Sequence, residues 1–444
     1  MPFIDSKPLR RLNILWKRGA GDRQAAPREE IPRRIASGIG AVALGLMALI
    51  FAKLGDVSQH MFLKLVAAWP YLPLILTPLL FGLVMYITQR WTPEARGSGI
   101  PQVIAAAKSP DVSSNGPLVS IRTAAFKFVL TLVMLLGGGS VGREGPTVQI
   151  SAAIMVWVHK RLRVPITSGV IIAGGAAGVA AAFNTPLAGI AFAIEELASA
   201  YEQRVAVMVM GTVMIAGLVS LGMSGDYIYF GQMSQTLSVS AVLVIAPVAG
   251  FVGGLLGGLF SRVVLGFASP KHALLQRLRS RPVIFAMACG LGVALLGIAT
   301  HGATWGTGYE TTKQLVEGHP APLWFGPTKF FAALATTLSG TPGGIFAPSL
   351  SVGAGVGNML KLIFPDDPAG AVVLLGMVAY FVGVVRAPLT AVIILSETTA
   401  SRGMILPLFA TALIADGVST MICRERLYHG LAKPFLAKAA AQRA

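Results

Sequence analysis

Charge is scarce in this sequence. Asp, Glu, Lys and Arg make up only 12% of its 444 residues, about half the ~25% of a soluble globular protein. With 54% hydrophobic residues and a mean hydropathy of +0.70, that deficit excludes an ordinary water-soluble domain. Acids are the scarcer sign, 19 Asp and Glu against 36 Lys and Arg. The resulting net charge of +17 does not point to nucleic acid, because the basic residues fall in short clusters between apolar stretches, without interleaved aromatics. Cysteine is nearly absent. Cys289 lies in an apolar run and Cys423 just after another, which makes no disulfide framework. The six histidines show no metal-ligand spacing, and there is no P-loop, HExxH or GxSxG. The sequence therefore offers no metal site, no cofactor fingerprint and no nucleophile on which to build an enzyme.

What is present is a series of apolar stretches, at 36–54, 71–87, 124–141, 167–182, 205–222, 239–261, 283–299, 369–385 and 404–422. Several are shorter than the ~20 residues of a straight membrane-spanning helix, and glycine or proline cuts many of them. Interrupted segments are tolerated at membrane depth where protein or an aqueous cavity covers the freed backbone groups. The expected class is an all-α polytopic membrane protein. Basic clusters at 1–34, 159–163, 271–281 and 424–443 are distributed as cytoplasmic loops are. Both termini are then cytoplasmic, the number of full crossings is even, and the chain is a multi-pass protein of the cell (inner) membrane. The polar, charged leader over 1–35 has no signal-peptide character and is expected to be partly helical.

An internal repeat appears at an offset of 202 residues. Lys127-Phe128 matches Lys329-Phe330, Gly142 matches Gly344, and Pro146 matches Pro348. "TPLAGIAFAIEE" (185–196) falls on "APLTAVIILSET" (387–398), pairing Glu195 with Glu397. A weaker match, "GSGI" (97–100) on "GTGY" (306–309), needs an offset of 209. The expected organisation is a first transmembrane repeat over 36–232, a second over 233–430, and a short cytoplasmic tail over 431–444. The loop 159–163 is basic, whereas its partner near 361–367 carries one lysine and two aspartates. Equivalent loops then lie on opposite sides of the bilayer. That predicts inverted-topology repeats with broken half-helices meeting at the midplane.

Three stretches share one design: "GSGIP" (97–101), "GREGP" (142–146) and "GGIFAP" (343–348). Glycine permits a sharp turn and proline suits the first turn of a helix, so each reads as a half-helix starting inside the membrane. Such starts present unpaired N–H groups and about half a positive charge. Converging, they make an anion site that needs no buried lysine or arginine, and weak binding lets the ion leave. "GFVGGLLGG" (250–258) and "GAGVGN" (353–358) read instead as close helix packing. Of the acids, only Glu144, Glu195, Glu196, Glu397 and Asp416 lie within or beside apolar segments. An ionised side chain there costs ~2.5–3.5 kcal/mol on insertion scales, which marks these acids as functional candidates. Glu144 sits at a helix start and competes with an anion for the same amides. Of Glu195 and Glu196, one is placed to face the interior and the other solvent.

"GSGIP", "GREGPTVQ", "GGIFAP", "FNTPLAGIAFAIEE" and Leu427-Tyr428, in this order, closely resemble the CLC family of chloride channels and proton/chloride antiporters, over residues 36 to 430. The resemblance implies hydroxyls from Ser98 and Tyr428 at the central anion, with backbone N–H groups of Gly145, Ile345 and Phe346 around it. It implies Glu144 as the external gate and proton carrier, and Glu196 as the internal proton acceptor that separates antiporters from channels. It implies a homodimer in the lipid bilayer, with one pathway for chloride and protons per subunit. Serine at 98, in an intact GSGIP, favours chloride over fluoride or nitrate. Gln102 stands where many relatives have an acid. The expected function is proton-coupled chloride antiport, the alternative a passive chloride channel gated by Glu144.

Overall fold

The computed structural model describes residues 27–198, 203–225, 229–270 and 273–441. Most of the basic leader and the end of the tail lie outside the described residues. Nineteen α-helices run through them, with no strand. The first half holds α1 (Pro27–Ala68), α2 (Pro73–Trp91), α3 (Ile100–Lys108), α4 (Pro110–Asn115) and α5 (Ile121–Leu136). It continues with α6 (Glu144–Arg161), α7 (Ser168–Phe183), α8 (Pro186–Phe192), a π-helical turn at Ala193–Leu197, and α9 (Gln203–Ser224). The second half holds α10 (Val239–Ala268), α11 (Ala273–Ser280), α12 (Pro282–Ala299), α13 (Tyr309–Val316) and α14 (Phe325–Ser339). It ends with α15 (Phe346–Leu360), α16 (Ala369–Val385), α17 (Pro388–Thr399), α18 (Ile405–Ile422) and α19 (Leu427–Ala441).

The helix starts carry the repeat. α6 and α15 begin at 144 and 346, α9 and α18 at 203 and 405, both 202 apart. Upstream, α2 and α12 begin at 73 and 282, α3 and α13 at 100 and 309, both 209 apart. The offset changes between α3 and α5, where the first half has the extra helix α4. The "GSGI"/"GTGY" match is therefore in register with its helices. Asn184 and Arg386, also 202 apart, end α7 and α16 in left-handed conformations with φ of 57° and 63°. Prolines at the first turn then start α8 and α17.

Six helices among the described residues are long and apolar enough to cross a membrane: α1, α2, α9, α10, α12 and α18. They form three equivalent pairs and carry exposed apolar residues such as Leu218, Leu243, Leu295 and Leu406. Two shorter helices are instead buried in the interior. From Gly169 to Phe183, α7 is buried throughout, and so is α16 from Gly370 to Val385. Breaks are affordable in that interior because neighbouring helices, not lipid, face the interrupted backbone. Glycine sets the close contacts. A Cβ on Gly357 of α15 would lie 2.5 Å from Val373 Cα of α16, and one on Gly257 of α10 would lie 2.5 Å from the Gly383 carbonyl carbon. These are the packing runs read in the sequence.

The two halves also exchange helix caps. Glu195 accepts from the amides of Leu389 and Thr390 at the start of α17, at 3.1 and 2.8 Å. Its repeat partner Glu397 accepts from the amides of Leu187 and Ala188 at the start of α8, at 3.4 and 3.0 Å. Glu195 is thus half-buried and engaged, not the solvent-facing acid of the pair, because unpaired amides at a helix start attract a carboxylate.

Gly357→Ala is expected to lower the thermal unfolding midpoint of the detergent-solubilised protein, at an overpacking cost of ~1–3 kcal/mol. Gly266→Ala in α10, whose Cβ meets nothing within 4 Å, is expected to leave it unchanged or raise it. Equal behaviour of the two variants would refute close packing as the reason for Gly357.

Candidate functional site

Three glycine breaks meet in the interior. Gly142 and Gly344 donate to each other's carbonyls, both at 2.8 Å, forming an antiparallel bridge between positions 202 apart. Gly343 donates to the Gly97 carbonyl at 3.1 Å. Helices α3, α6 and α15 start from these breaks, each with proline in its first turn at Pro101, Pro146 and Pro348. Gly99 has φ of 103°, which a residue with a Cβ rarely adopts. At Gly145 a Cβ would lie 3.0 Å from Ser98 Oγ and 3.2 Å from Gly344 Cα, so glycine is what lets these backbones touch.

Around this junction the structure places Ser98, Gly145, Ile345, Phe346 and Tyr428 together. The Tyr428 hydroxyl lies beside Ser98, and its ring centroid is 6.0 Å from that of Phe346. A cavity of about 760 Å³ is lined by Ser98, Gly344, Ile345 and Tyr428, and also by Arg96, Arg279, Lys433 and Glu425. Two hydroxyls in a mainly cationic cavity suit a small anion.

Glu144 is fully buried. Its carboxylate reaches the backbone amide of Ala347, in the first turn of α15. Tyr229 donates from its hydroxyl to Glu144 Oε1 at 3.4 Å. The Tyr229 ring packs on Phe183 and Tyr309, and its loop is tied to the end of α17 by Phe230 N to the Thr398 carbonyl at 2.9 Å. Sequence reasoning missed Tyr229. The available signal was the aromatic cluster "YIYF" (227–230) in an otherwise polar loop.

Glu196 lies elsewhere, on the π-helical turn, fully buried with neither oxygen hydrogen-bonded. His429 Nδ1 approaches its Oε1 to 3.3 Å. Arg143 of GREGP points away from the junction, donating to Asp56 Oδ1 and the Ala52 carbonyl, both at 2.6 Å. Gln102 is buried and ties down the preceding loop through the carbonyls of Glu94 and Arg96, at 3.0 and 2.6 Å. Asp416 is bonded to Arg386 at 3.1 Å.

The anion site was expected to need no buried lysine or arginine, and two lysines are nonetheless fully buried nearby, Lys127 and Lys329. Their amines do not serve as ion ligands here. Lys127 donates to the carbonyls of Ala95 and Gly97 at 2.7 and 2.5 Å, and Lys329 to those of Thr304 and Gly306 at 2.9 and 2.8 Å. The turns before α3 and α13 leave carbonyls without helix partners, and a lysine's three donors satisfy them.

The chain matches the family described as "Voltage gated chloride channel" over residues 80–420. It is 31% identical, over 96% of its length and 94% of the relative's, to the H(+)/Cl(-) exchange transporter ClcA of Klebsiella pneumoniae. It is 32% identical to the protein of the same name from Yersinia pestis, over 95% of this chain and 92% of the relative. Among solved structures it is similar in fold to a slow cyanobacterial Cl-/H+ antiporter, with a TM-score of 0.78, 22% identity, and 94% and 99% of the two chains covered. A CLC-type fluoride/proton antiporter aligns with a TM-score of 0.76 at 22% identity, over 90% and 98% of the chains. With the three breaks joined around Ser98 and Tyr428 and the match running through most of the membrane region, the chain belongs to the voltage-gated chloride channel family.

Proposed function

We propose that the protein is a proton-coupled chloride antiporter of the cell inner membrane. The observation that carries this reading is Glu144, whose carboxylate sits at the Ala347 amide of α15 beside the glycine junction. A carboxylate and a chloride ion compete for the same N–H groups. When Glu144 is ionised it holds a position at the Ala347 amide next to the central anion; when protonated it leaves, carrying a proton and freeing that amide for an anion. Chloride rests between Ser98 Oγ, the Tyr428 hydroxyl and the amides of Gly145, Ile345 and Phe346. Glu196 takes the proton at the other end. The names of the Klebsiella and Yersinia relatives support exchange over passive conduction.

The rest of the reading follows the same resemblance. The repeats over 36–232 and 233–430 are inverted in the bilayer, which the opposed charge of their equivalent loops favours; the reciprocal caps and the antiparallel glycine bridge fit a two-fold axis between the halves. The basic clusters put both termini in the cytoplasm. Two subunits associate, each with its own pathway, so the protein component of the purified particle is expected to have twice the 46.3 kDa mass of one chain, measured by light scattering.

In liposomes, a chloride gradient is expected to drive protons uphill, with a reversal potential that depends on both gradients. Robust chloride flux without proton flux would replace antiport by a passive channel. Chloride turnover is expected to rise as pH falls, because protonation removes the competing carboxylate. Glu144→Ala is expected to keep chloride flux, lose proton flux to background, and lose the pH dependence. Glu196→Ala is expected to lose proton flux; if coupled proton movement persists, Glu196 is not the internal acceptor. Tyr428→Phe removes one hydrogen bond to a charged ligand, ~1.5 kcal/mol, so calorimetry is expected to show chloride binding about tenfold weaker.

A further inference from the structure

We propose that His429 is the relay that carries protons between the aqueous face of the protein and Glu196; this rests on the reading of Glu196 as the internal acceptor. Glu196 has no direct route to water, since its side chain is 0% exposed. His429 bridges that gap. Its Nδ1 lies 3.3 Å from Glu196 Oε1, while 33% of its side chain remains exposed. Both Glu196 oxygens and His429 Nδ1 lack a hydrogen-bonded partner among the described residues. A buried acid and a half-exposed imidazole therefore face each other with their proton-accepting atoms free. The approach is close to, but not aligned as, a hydrogen bond; proton-transfer contacts commonly tighten only in the working state.

The surroundings fit transfer better than a static ion pair. Glu196 sits on the π-helical turn that ends α8, and such turns are frequent at functional sites. The nearby charges are committed elsewhere. Glu195 caps α17, Arg426 donates to the Glu195 carbonyl at 3.3 Å, and Glu425 pairs with Lys433 at 2.5 Å. His429 is the titratable group placed between Glu196 and the exposed end of α19. It follows Tyr428 directly, so consecutive residues at the start of one helix serve the anion and the proton.

The step balances without any further reactant. In the tautomer protonated at Nδ1, the N–H proton passes to Glu196 Oε1, giving a neutral carboxylic acid. Nε2 takes one proton from water, and the ring returns to its starting tautomer by proton exchange with water. One proton has moved from solvent to Glu196; the reverse sequence releases it.

The test compares His429→Gln, His429→Ala and Glu196→Ala in liposomes, reading chloride and proton flux together. Glutamine keeps size and polarity but cannot take up and pass on a proton. His429→Gln is expected to conduct chloride while proton flux falls about 10²-fold or more, in keeping with what a positioned proton-transfer group supplies. Imidazole buffer on the side His429 faces is expected to restore proton flux to His429→Ala and to leave Glu196→Ala unrescued. Full proton coupling in His429→Gln, with Glu196→Ala uncoupled, overturns the relay and spares Glu196. Loss of both fluxes in both histidine variants, without rescue, also overturns it and marks a packing role. Retained coupling in Glu196→Ala removes the acceptor itself, and the relay with it.

Discussion

Two backbone hydrogen bonds between Gly142 and Gly344 are the constraint on which this interior rests. They can form only where neither residue carries a bulky side chain, and they bring together two chain breaks whose next residues begin α6 and α15. A helix start in apolar surroundings is a problem, because its first N–H groups have no partners. Gathering several starts at one point turns that deficit into a shared donor site for an anion. The long helices outside, the buried α7 and α16, and the tight glycine contacts between α15 and α16 all keep lipid away from this point. Lys127 and Lys329 complete the arrangement from behind, by holding the carbonyls that the turns before α3 and α13 leave unpaired.

Comparing the halves separates architecture from chemistry. Glycine and proline recur at 142 and 146 and at 344 and 348, and so do the two lysines and the glutamates 195 and 397. Each recurring residue satisfies backbone or shapes a turn. The acids that do not recur are different. Glu144 corresponds to Phe346 and Glu196 to Thr398. Among the described residues they are the two fully buried carboxyl groups. A residue present in one half only is free of the folding duty that its position carries in the other.

Much of this was legible in the sequence. Glycine–proline breaks, scarce charge and the 202-residue offset are local or periodic signals, and they specified the helix starts and the equivalent elements. Ser98, Glu144, Ile345 and Tyr428 were identified by resemblance, and the fold gathers Ser98, Ile345 and Tyr428 around one cavity. What the sequence concealed depends on contacts between distant segments. Lys127 and Lys329 stood out only as repeat anchors, since nothing local says that a buried amine will meet carbonyls 23 to 32 residues away. Tyr229 approaches Glu144 across 85 positions, and Glu195 caps a helix 194 residues further on. The place of Glu195 was misread for that reason, because a carboxylate at a helix end resembles a solvent residue until its partner is known.

The exchanged caps of Glu195 and Glu397 have a consequence for motion. Many transporters with inverted repeats work by rocking one repeat against the other around a fixed site. Here the seam between halves is stitched at two levels, by the glycine bridge at its centre and by the paired carboxylates where α8 meets α17. A rigid-body swing large enough to open a path would break both carboxylate caps together, each of them worth on the order of 1 kcal/mol, and part the central bridge as well. The structure thus leaves its smallest parts as the movable ones. Turning a single side chain such as Glu144 would leave both caps and the bridge intact.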